Sequence, residues 1–250
     1  MPLTFPSHAA AVLPLKLWRR RWFDGVALTI GSAAPDLPYS LSPYVNYNAH
    51  TWSGILLCCV PLTVLLTVLT RAAAPSVVAH LRPFLTGDWA VLGARRHPWP
   101  VTVASAWLGA ASHRLWDLVT HAANADRGTS RLTFLDATAF AGQPWWRVLH
   151  YGSTLVGALV VLALARHVTR TGWLRVGVAT VPVAPRRPAV FWTAALVVWV
   201  PGVAVQPFLA WFTEPQAIIV RLLEVGGAGL LVAAGVVAFL SDSQVRSGSS

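Results

Sequence analysis

Long apolar runs alternate with shorter polar, proline-containing segments along this chain of 250 residues. Each run carries few charged side chains and approaches the roughly 20 residues that a helix needs to cross the hydrocarbon core of a membrane. The runs are residues 54–70, 98–120, 150–165, 189–212 and 217–240. The pattern predicts an all-α, multi-pass membrane protein with about five transmembrane helices.

The polar segments between the runs suggest how the chain is organised. Residues 171–188 combine arginine with proline and have the composition of a basic linker. We expect residues 1–170 to form a helical core with three membrane spans, and residues 189–241 to form a two-helix membrane segment. The serine-containing end, residues 242–250, is predicted to be a disordered tail.

Composition and charge support a membrane protein. Hydrophobic residues make up 55% of the chain and charged residues 11%, which is too apolar for an ordinary soluble domain. The net charge of +10 would by itself suit a nucleic-acid partner, but the basic residues lie in clusters between the apolar runs. We therefore predict contact with membrane lipid and no nucleic acid. Because arginine-rich loops stay in the cytoplasm, His50, His121 and His150 are expected on the opposite side.

Three ionisable residues recur at helical spacing in the second apolar run. His113, Asp117 and His121 stand at i, i+4 and i+8, so on a helix they share a sector of about 80° with roughly 6 Å of rise between neighbours. The outer two Cα atoms would lie about 12 Å apart, whereas the central carboxylate could bridge two ions about 3.5–4 Å apart. The spacing predicts half of a dinuclear metal site. The alternative is a solvated polar face, although ionisable groups among apolar neighbours are costly unless they pair or bind something.

Further candidate ligands lie outside this helix. His50 and His150 flank predicted spans, while His8 and Asp36 lie in the proline-rich first fifth of the chain. Imidazole and carboxylate together are the ligands of zinc and related ions. The candidate metal ligands are His8, Asp36, His50, His113, Asp117, His121 and His150.

Some polar residues have a simpler interpretation. Asp36 lies in a turn-like Ala-Pro-Asp-Leu-Pro segment, where an aspartate commonly caps or forms a turn, so that role stays open beside the ligand role. His80 and His97 have no histidine or carboxylate at ligand spacing, and we interpret them as loop residues.

The order of the candidate ligands resembles a known pattern. An early histidine is followed by an aspartate, a second histidine, a His-x-x-x-Asp pair and two later histidines. This order is similar to that of the zinc-dependent phospholipase C and single-strand nuclease superfamily. The opening Pro2-x-Thr-Phe-x-x-Ser-His-Ala-Ala and the Ala-Pro-Asp turn resemble an uncharacterised bacterial integral-membrane family, a domain of unknown function, which is similar to inner-membrane metal-dependent hydrolases. The resemblance covers residues 1–155.

The resemblance carries expectations about location and metal. It implies a helical core like that of zinc-dependent phospholipase C, in the bacterial cytoplasmic membrane. The arginine-rich loops favour the extracytoplasmic side for the site. It implies two zinc ions, with other divalent ions as the alternative. The implied ligands are Asp36, His50 and His113 for one ion, Asp117 as a bridge, His121 and His150 for a second ion, and His8 toward a third.

Two departures from the superfamily pattern bear on the number of ions. The superfamily has an acidic ligand four residues after its last histidine, and this chain has Thr154 there. Those enzymes also use a free N-terminal tryptophan, where this sequence has Met1. Both differences favour two ions over three, or else weaker metal binding.

The expected activity is hydrolysis of a phosphoester in a lipid or lipid-linked substrate by a membrane-embedded, metal-dependent enzyme. Asp36 would take the proton of the attacking water, and Arg114 would bind the phosphate or, alternatively, a lipid headgroup. The competing class is a non-enzymatic membrane protein in which the same residues hold a structural metal or line an ion or proton path.

Overall fold

The computed structural model describes residues 5–45, 48–81, 87–122, 132–178, 180 and 182–247. The fold is all-α, as predicted, with a single small hairpin, β1 (Thr138–Phe140) and β2 (Gln143–Pro144), among the described residues. The α-helices are α1 (Phe5–Trp18), α2 (Gly25–Ala33), α3 (Trp52–Gly54), α4 (Val60–His80), α5 (Trp99–Thr120), α6 (Trp145–Arg170), α7 (Pro188–Ala204) and α8 (Pro215–Ser247). A π-helical turn, Ile55–Cys59, joins α3 to α4, and short 3-10 helices cover Leu37–Leu41, Gly87–Gly93, Thr133–Asp136, Trp173–Arg175 and Gln206–Phe208.

Among the described residues, 4 helices are long and apolar enough to cross a membrane. They are Trp52–His80, Trp145–Arg170, Pro188–Phe208 and Ala217–Ser241. The predicted span at residues 98–120 is helix α5, which is not among them, because serine, histidine, arginine and aspartate lower its hydropathy. The chain therefore has the helices of a membrane protein, and a count of five spans is not confirmed.

Helix bounds differ from the predicted runs mainly where the sequence gives weak stop signals. The first span continues beyond residue 70 to His80, with Pro75 inside the helix. The last helix continues to Ser247, into the segment predicted as a tail, and residues 248–250 lie outside the described part.

The chain forms two compact units. The first comprises Met1–Thr67, His97–Leu164 and Glu214–Val220, and the second comprises Val68–Arg96, Ala165–Thr213 and Arg221–Ser250. Every candidate metal ligand belongs to the first unit. The predicted segments 1–170, 171–188 and 189–241 stay a prediction.

In the first unit, α2 packs closely on α5 because glycines face the contact. A Cβ atom on Gly31 would lie 2.5 Å from the carbonyl oxygen of Ala106, and one on Gly109 would lie 2.5 Å from that of Leu28. Such distances exclude a side chain at either position unless the backbone moves. The two glycines thus set how near the end of α2 comes to the polar face of α5.

The start of α2 is fixed to α5 by buried polar contacts. Asp24 caps α2 by accepting the backbone N–H groups of Val26 and Ala27. Its other carboxylate oxygen accepts the Thr102 hydroxyl at 2.8 Å, and its backbone N–H donates to Ser105 Oγ at 2.9 Å. Since all these groups are satisfied, α2 is held in one register along α5.

The second unit contains its own core and one buried histidine. Phe191 and Ala195 of α7 pack with residues of α8, and Phe191 stacks on the His80 ring at a centroid distance of 4.2 Å. His80 ends α4, so our interpretation of it as a loop residue is wrong. Its Nε2 accepts the Arg187 N–H at 2.9 Å, which leaves the Nδ1 proton to donate to the Ser76 carbonyl at 2.7 Å. Both ring nitrogens are used, so His80 is a structural histidine.

Candidate metal centre

His113 and Asp117 form the centre of a buried polar cluster on α5. One helical turn apart, they place His113 Nε2 at 3.2 Å from Asp117 Oδ2. His113 Nδ1 lies 2.8 Å from the carbonyl oxygen of Ser32 in α2, and it donates its proton there because a carbonyl can only accept. This second contact orients the ring so that Nε2 faces the carboxylates, as is usual for a metal-ligating histidine.

Asp36 joins this cluster from the segment after α2. Its Oδ1 lies 3.5 Å from His113 Nε2 and 3.3 Å from His50 Nε2. Although Asp36 precedes the 3-10 helix Leu37–Leu41, its side chain makes no capping hydrogen bond to that helix. The turn-forming alternative therefore does not account for where this carboxylate points.

His50 reaches the cluster from the loop before α3. In addition to its contact with Asp36, its Nε2 lies 3.6 Å from Asp117 Oδ2. Asp36, His50 and His113 each offer one donor atom, and these atoms all lie within 4.8 Å of one another. This spacing suits three ligands of one ion.

His8 on α1 completes a second, overlapping group. Its ring stacks on that of His113 with centroids 3.9 Å apart, and its Nε2 lies 3.6 Å from Asp117 Oδ1. His8, His113 and Asp117 likewise offer donor atoms within 4.8 Å of one another. Helix α1 also lies close to α6, because Gly157 of α6 lacks a Cβ, which would lie 2.4 Å from Ser7 Cα.

His121 does not continue the helix, contrary to the i, i+8 expectation. Helix α5 ends at Thr120, and His121 has extended backbone angles, φ −127° and ψ 148°. The Thr120 hydroxyl lies 3.0 Å from His121 Nδ1, and the same nitrogen lies 3.1 Å from Asp117 Oδ1. The end of the helix thus lets His121 turn back to the carboxylate.

His150 stands beside His121, with ring centroids 4.9 Å apart in an edge-on arrangement. It lies near the start of α6 and is buried. Its Nδ1 donates to the Thr120 carbonyl at 3.2 Å, while its buried Nε2 has no hydrogen-bond partner among the described residues. In His80, by contrast, a backbone N–H fills the corresponding position. His150 therefore presents an unused lone pair of the kind that binds a metal.

The electrostatics of the cluster favour a cation. Burial alone would raise the pKa of Asp36, but His113 and His50 lower it well below its usual value. Burial likewise opposes ionisation of Asp117, and His113 and His121 outweigh it, so its pKa is lowered too. A buried carboxylate and a partly buried one that both stay ionised need positive charge beside them.

The pKa values of two histidines in the cluster shift in opposite directions. Burial would lower the pKa of His113, but Asp117 and Asp36 raise it well above its usual value. Burial and the neighbouring His113 instead lower the pKa of His8 to about 3, so His8 is a neutral donor. The carboxylates thus favour positive charge at His113 Nε2, and a divalent ion bound between that nitrogen and the carboxylates would provide the same compensation, so the residues fit such an ion.

Arg114 and Thr154 have contacts of their own. The Arg114 guanidinium donates to the His50 carbonyl and lies 5.2 Å from the centroid of the Trp52 ring. The Thr154 hydroxyl donates to the His150 carbonyl at 2.8 Å within α6. The substrate-binding role expected of Arg114 stays a prediction.

Sequence reasoning identified the side chains of the cluster but missed the groups that orient them. The carbonyl oxygens of Ser32 and Thr120 fix His113 and His150. A backbone carbonyl leaves no mark in the sequence. The glycines at the contact of α2 with α5 were the available signal that these helices come close.

Comparison with known proteins gives a family and no characterised relative. A family model described as domain of unknown function (DUF4184) matches residues 1–241, a range that includes all the candidate ligands. No curated protein and no solved structure matches the chain. These comparisons give no support to the similarity with zinc-dependent phospholipase C and single-strand nucleases, which stays a prediction from ligand order.

Proposed function

The chain belongs to the family of the domain of unknown function DUF4184, and we propose that it is a membrane-embedded, metal-dependent hydrolase of a phosphoester in a lipid or lipid-linked substrate. The observation that carries the proposal is the convergence of Asp36 and His50, from separate parts of the chain, on His113 and Asp117 of α5. Buried carboxylates and imidazoles with aligned donor atoms are costly to assemble unless they bind something.

The donor set indicates the kind of ion. Mixed imidazole and carboxylate ligands suit zinc first and other divalent first-row ions next. Asp36, His50 and His113 would hold one ion, and Asp117 is the shared carboxylate. The ligands proposed for the second ion are His8, His121 and His150.

The chemistry proposed for the site is hydrolysis. Bound divalent ions supply Lewis-acid chemistry, which makes water a nucleophile near neutral pH and neutralises phosphate charge. The side chain of Asp36 is 18% exposed and that of Asp117 is 6% exposed, so Asp36 is the carboxylate that an attacking water can reach. We assign Asp36 the role of accepting the proton of that water.

The neighbourhood of the cluster supports an amphiphilic substrate. His50 lies two residues before the candidate span Trp52–His80, and His150 lies in the second turn of Trp145–Arg170. A phosphoester bound at these span ends would be at the membrane boundary, where lipid headgroups are found. We propose the bacterial cytoplasmic membrane as the location and its extracytoplasmic face as the side of the site.

A second function, that of a structural metal site or an ion path, is favoured by the burial of two histidines. His8 and His113 are almost completely buried, and a closed site is typical of a structural metal. The same buried ionisable groups within a membrane protein would also suit an ion or proton path.

Elemental analysis together with an activity assay tests the proposal. The intact protein, purified mildly in detergent or lipid nanodiscs, should carry two divalent ions per chain and hydrolyse a phosphodiester or phosphomonoester. Metal-free protein whose folding is unaffected by a chelator would refute it. Bound metal with no turnover of any lipid, nucleotide or synthetic phosphoester would favour the structural or transport alternative.

A further inference from the structure

The loop that carries His50 is held by its carbonyl groups. The Asn48 carbonyl accepts both the backbone N–H and the hydroxyl of Thr51, at 2.9 and 2.8 Å. The Ala49 carbonyl accepts the buried Cys59 thiol at 3.5 Å. These contacts come from residues that follow the loop in sequence and shape it, and Ala49 also packs in a buried cluster with Ala110 of α5.

Close packing adds to this restraint. A Cβ atom on Gly54 would lie 2.1 Å from the Asn48 carbonyl oxygen, so the start of the α3 helix is pressed against the loop. Thr51 also caps that helix, because its hydroxyl accepts the Gly54 N–H at 3.0 Å. The loop is therefore packed directly against the beginning of the span.

Arg114 adds a hydrogen bond between the loop and α5. Its guanidinium donates to the His50 carbonyl and lies over the Trp52 ring at 5.2 Å, so it contacts the residues on both sides of Thr51. Arg114 follows His113 directly and points about 100° away from it around the helix. Arg114 therefore contacts the loop from the face of α5 adjacent to the one that carries His113 and Asp117.

We propose that Arg114 is a positioning residue that fixes His50 relative to His113 and Asp117, an inference that rests on the proposed metal site. The carbonyl that Arg114 binds belongs to a ligand residue, and Nε2 of that residue lies 3.3 Å from Asp36 and 3.6 Å from Asp117. Outer contacts of this kind orient ligands and commonly change metal affinity about 10- to 100-fold. This role differs from the phosphate-binding role expected from the sequence.

The chemistry of the contact requires arginine. A planar guanidinium can stack on an indole while one of its N–H groups donates a hydrogen bond in the plane of the guanidinium. A lysine ammonium provides charge and a donor but cannot combine the stacking with the fixed donor direction. Arg114→Lys is therefore expected to retain only part of the effect of Arg114 on the position of His50.

The experiment measures metal affinity in Arg114→Ala and Arg114→Lys by competition with a chromophoric chelator, using zinc alone, and records the visible spectrum after cobalt substitution. Arg114→Ala should lose at least about tenfold in affinity and show a changed cobalt spectrum, and Arg114→Lys should lie between it and the wild type. Millimolar methylguanidinium should restore the zinc affinity of Arg114→Ala. Arg147→Ala is the matched control, because Arg147 also donates a hydrogen bond, here to the Gln143 side chain, and lies 5.4 Å from a tryptophan centroid, but at an exposed position.

Hydrogen exchange of a peptide covering residues 48–55 provides a readout that needs no metal. Exchange should rise in Arg114→Ala and stay unchanged in Arg147→Ala. Unchanged metal affinity and unchanged exchange in Arg114→Ala would overturn the positioning role. A wild-type protein without metal would refute the proposed function instead, and the exchange measurement would still decide whether Arg114 holds the loop.

Discussion

His113 Nε2 lies 3.2 Å from Asp117 Oδ2, while Nδ1 of the same ring lies 2.8 Å from the Ser32 carbonyl. One nitrogen is thereby committed to the backbone and the other faces a carboxylate. This pairing distinguishes a ligand-ready histidine from one that is fully used by the fold, and it motivates the first prediction.

His113→Ala should remove bound metal, because it deletes the donor common to both ligand groups. The loss of affinity should exceed the about 10- to 100-fold that outer contacts cost. Metal content per chain after gel filtration measures it.

His80→Ala is the contrasting variant. It leaves the Arg187 N–H without its acceptor, which should lower the free energy of unfolding by about 1–3 kcal/mol while metal content stays at the wild-type level. His167→Ala, at an exposed position on α6, should change neither quantity. Equal metal loss in His113→Ala and His80→Ala would mean that the cluster is not the metal site.

Asp36→Asn should abolish turnover more completely than it lowers metal content, since the amide keeps one possible oxygen ligand but cannot accept the proton. Rates and metal content are measured on the same preparation. Asp136→Asn, at an exposed position, is the control. A variant that loses metal and activity in equal proportion would assign Asp36 to coordination only.

Thr154→Glu should tighten the second metal, because it places a carboxylate one helical turn after His150, where both side chains can reach one ion. The existing contact of Thr154 is a hydrogen bond within its own helix, so little is lost. Chelator competition compares it with Thr154→Gln, which matches it in size without the charge. Metal expulsion by the glutamate variant would show that this position faces away from the site.

Gly109→Ala should destabilise the first unit by about 1–3 kcal/mol, since its Cβ would lie 2.5 Å from the Leu28 carbonyl and force α2 away from α5. Metal affinity should fall with it, because the Ser32 contact to His113 depends on that spacing. Gly152→Ala is the matched control, with nothing within 4 Å of the added atom. Thermal unfolding with and without chelator distinguishes the two effects, and a Gly109→Ala protein as stable as Gly152→Ala would contradict the close packing.

The sequence predicted the fold class and the central pair well because both depend on helical periodicity. His113 and Asp117 share a face wherever the segment is helical. His121 was misplaced because nothing at Thr120 or His121 resembles a glycine or proline stop signal, and the helix ends where the Thr120 carbonyl accepts a hydrogen bond from His150. The role of Asp36 stayed open because its partners, His50 and His113, are distant in sequence.

The end of α5 at Thr120 has a consequence for the order in which the site is filled. Aligned peptide dipoles give the C-terminal end of a helix about half a negative elementary charge, and this end, whose last carbonyl accepts a hydrogen bond from His150, lies about one turn after Asp117. An anion arriving first meets repulsion from all of these groups, whereas a cation is attracted by them. We therefore expect ordered binding at the proposed centre, in which a phosphate mimic such as vanadate binds only to protein that has already taken up divalent ions.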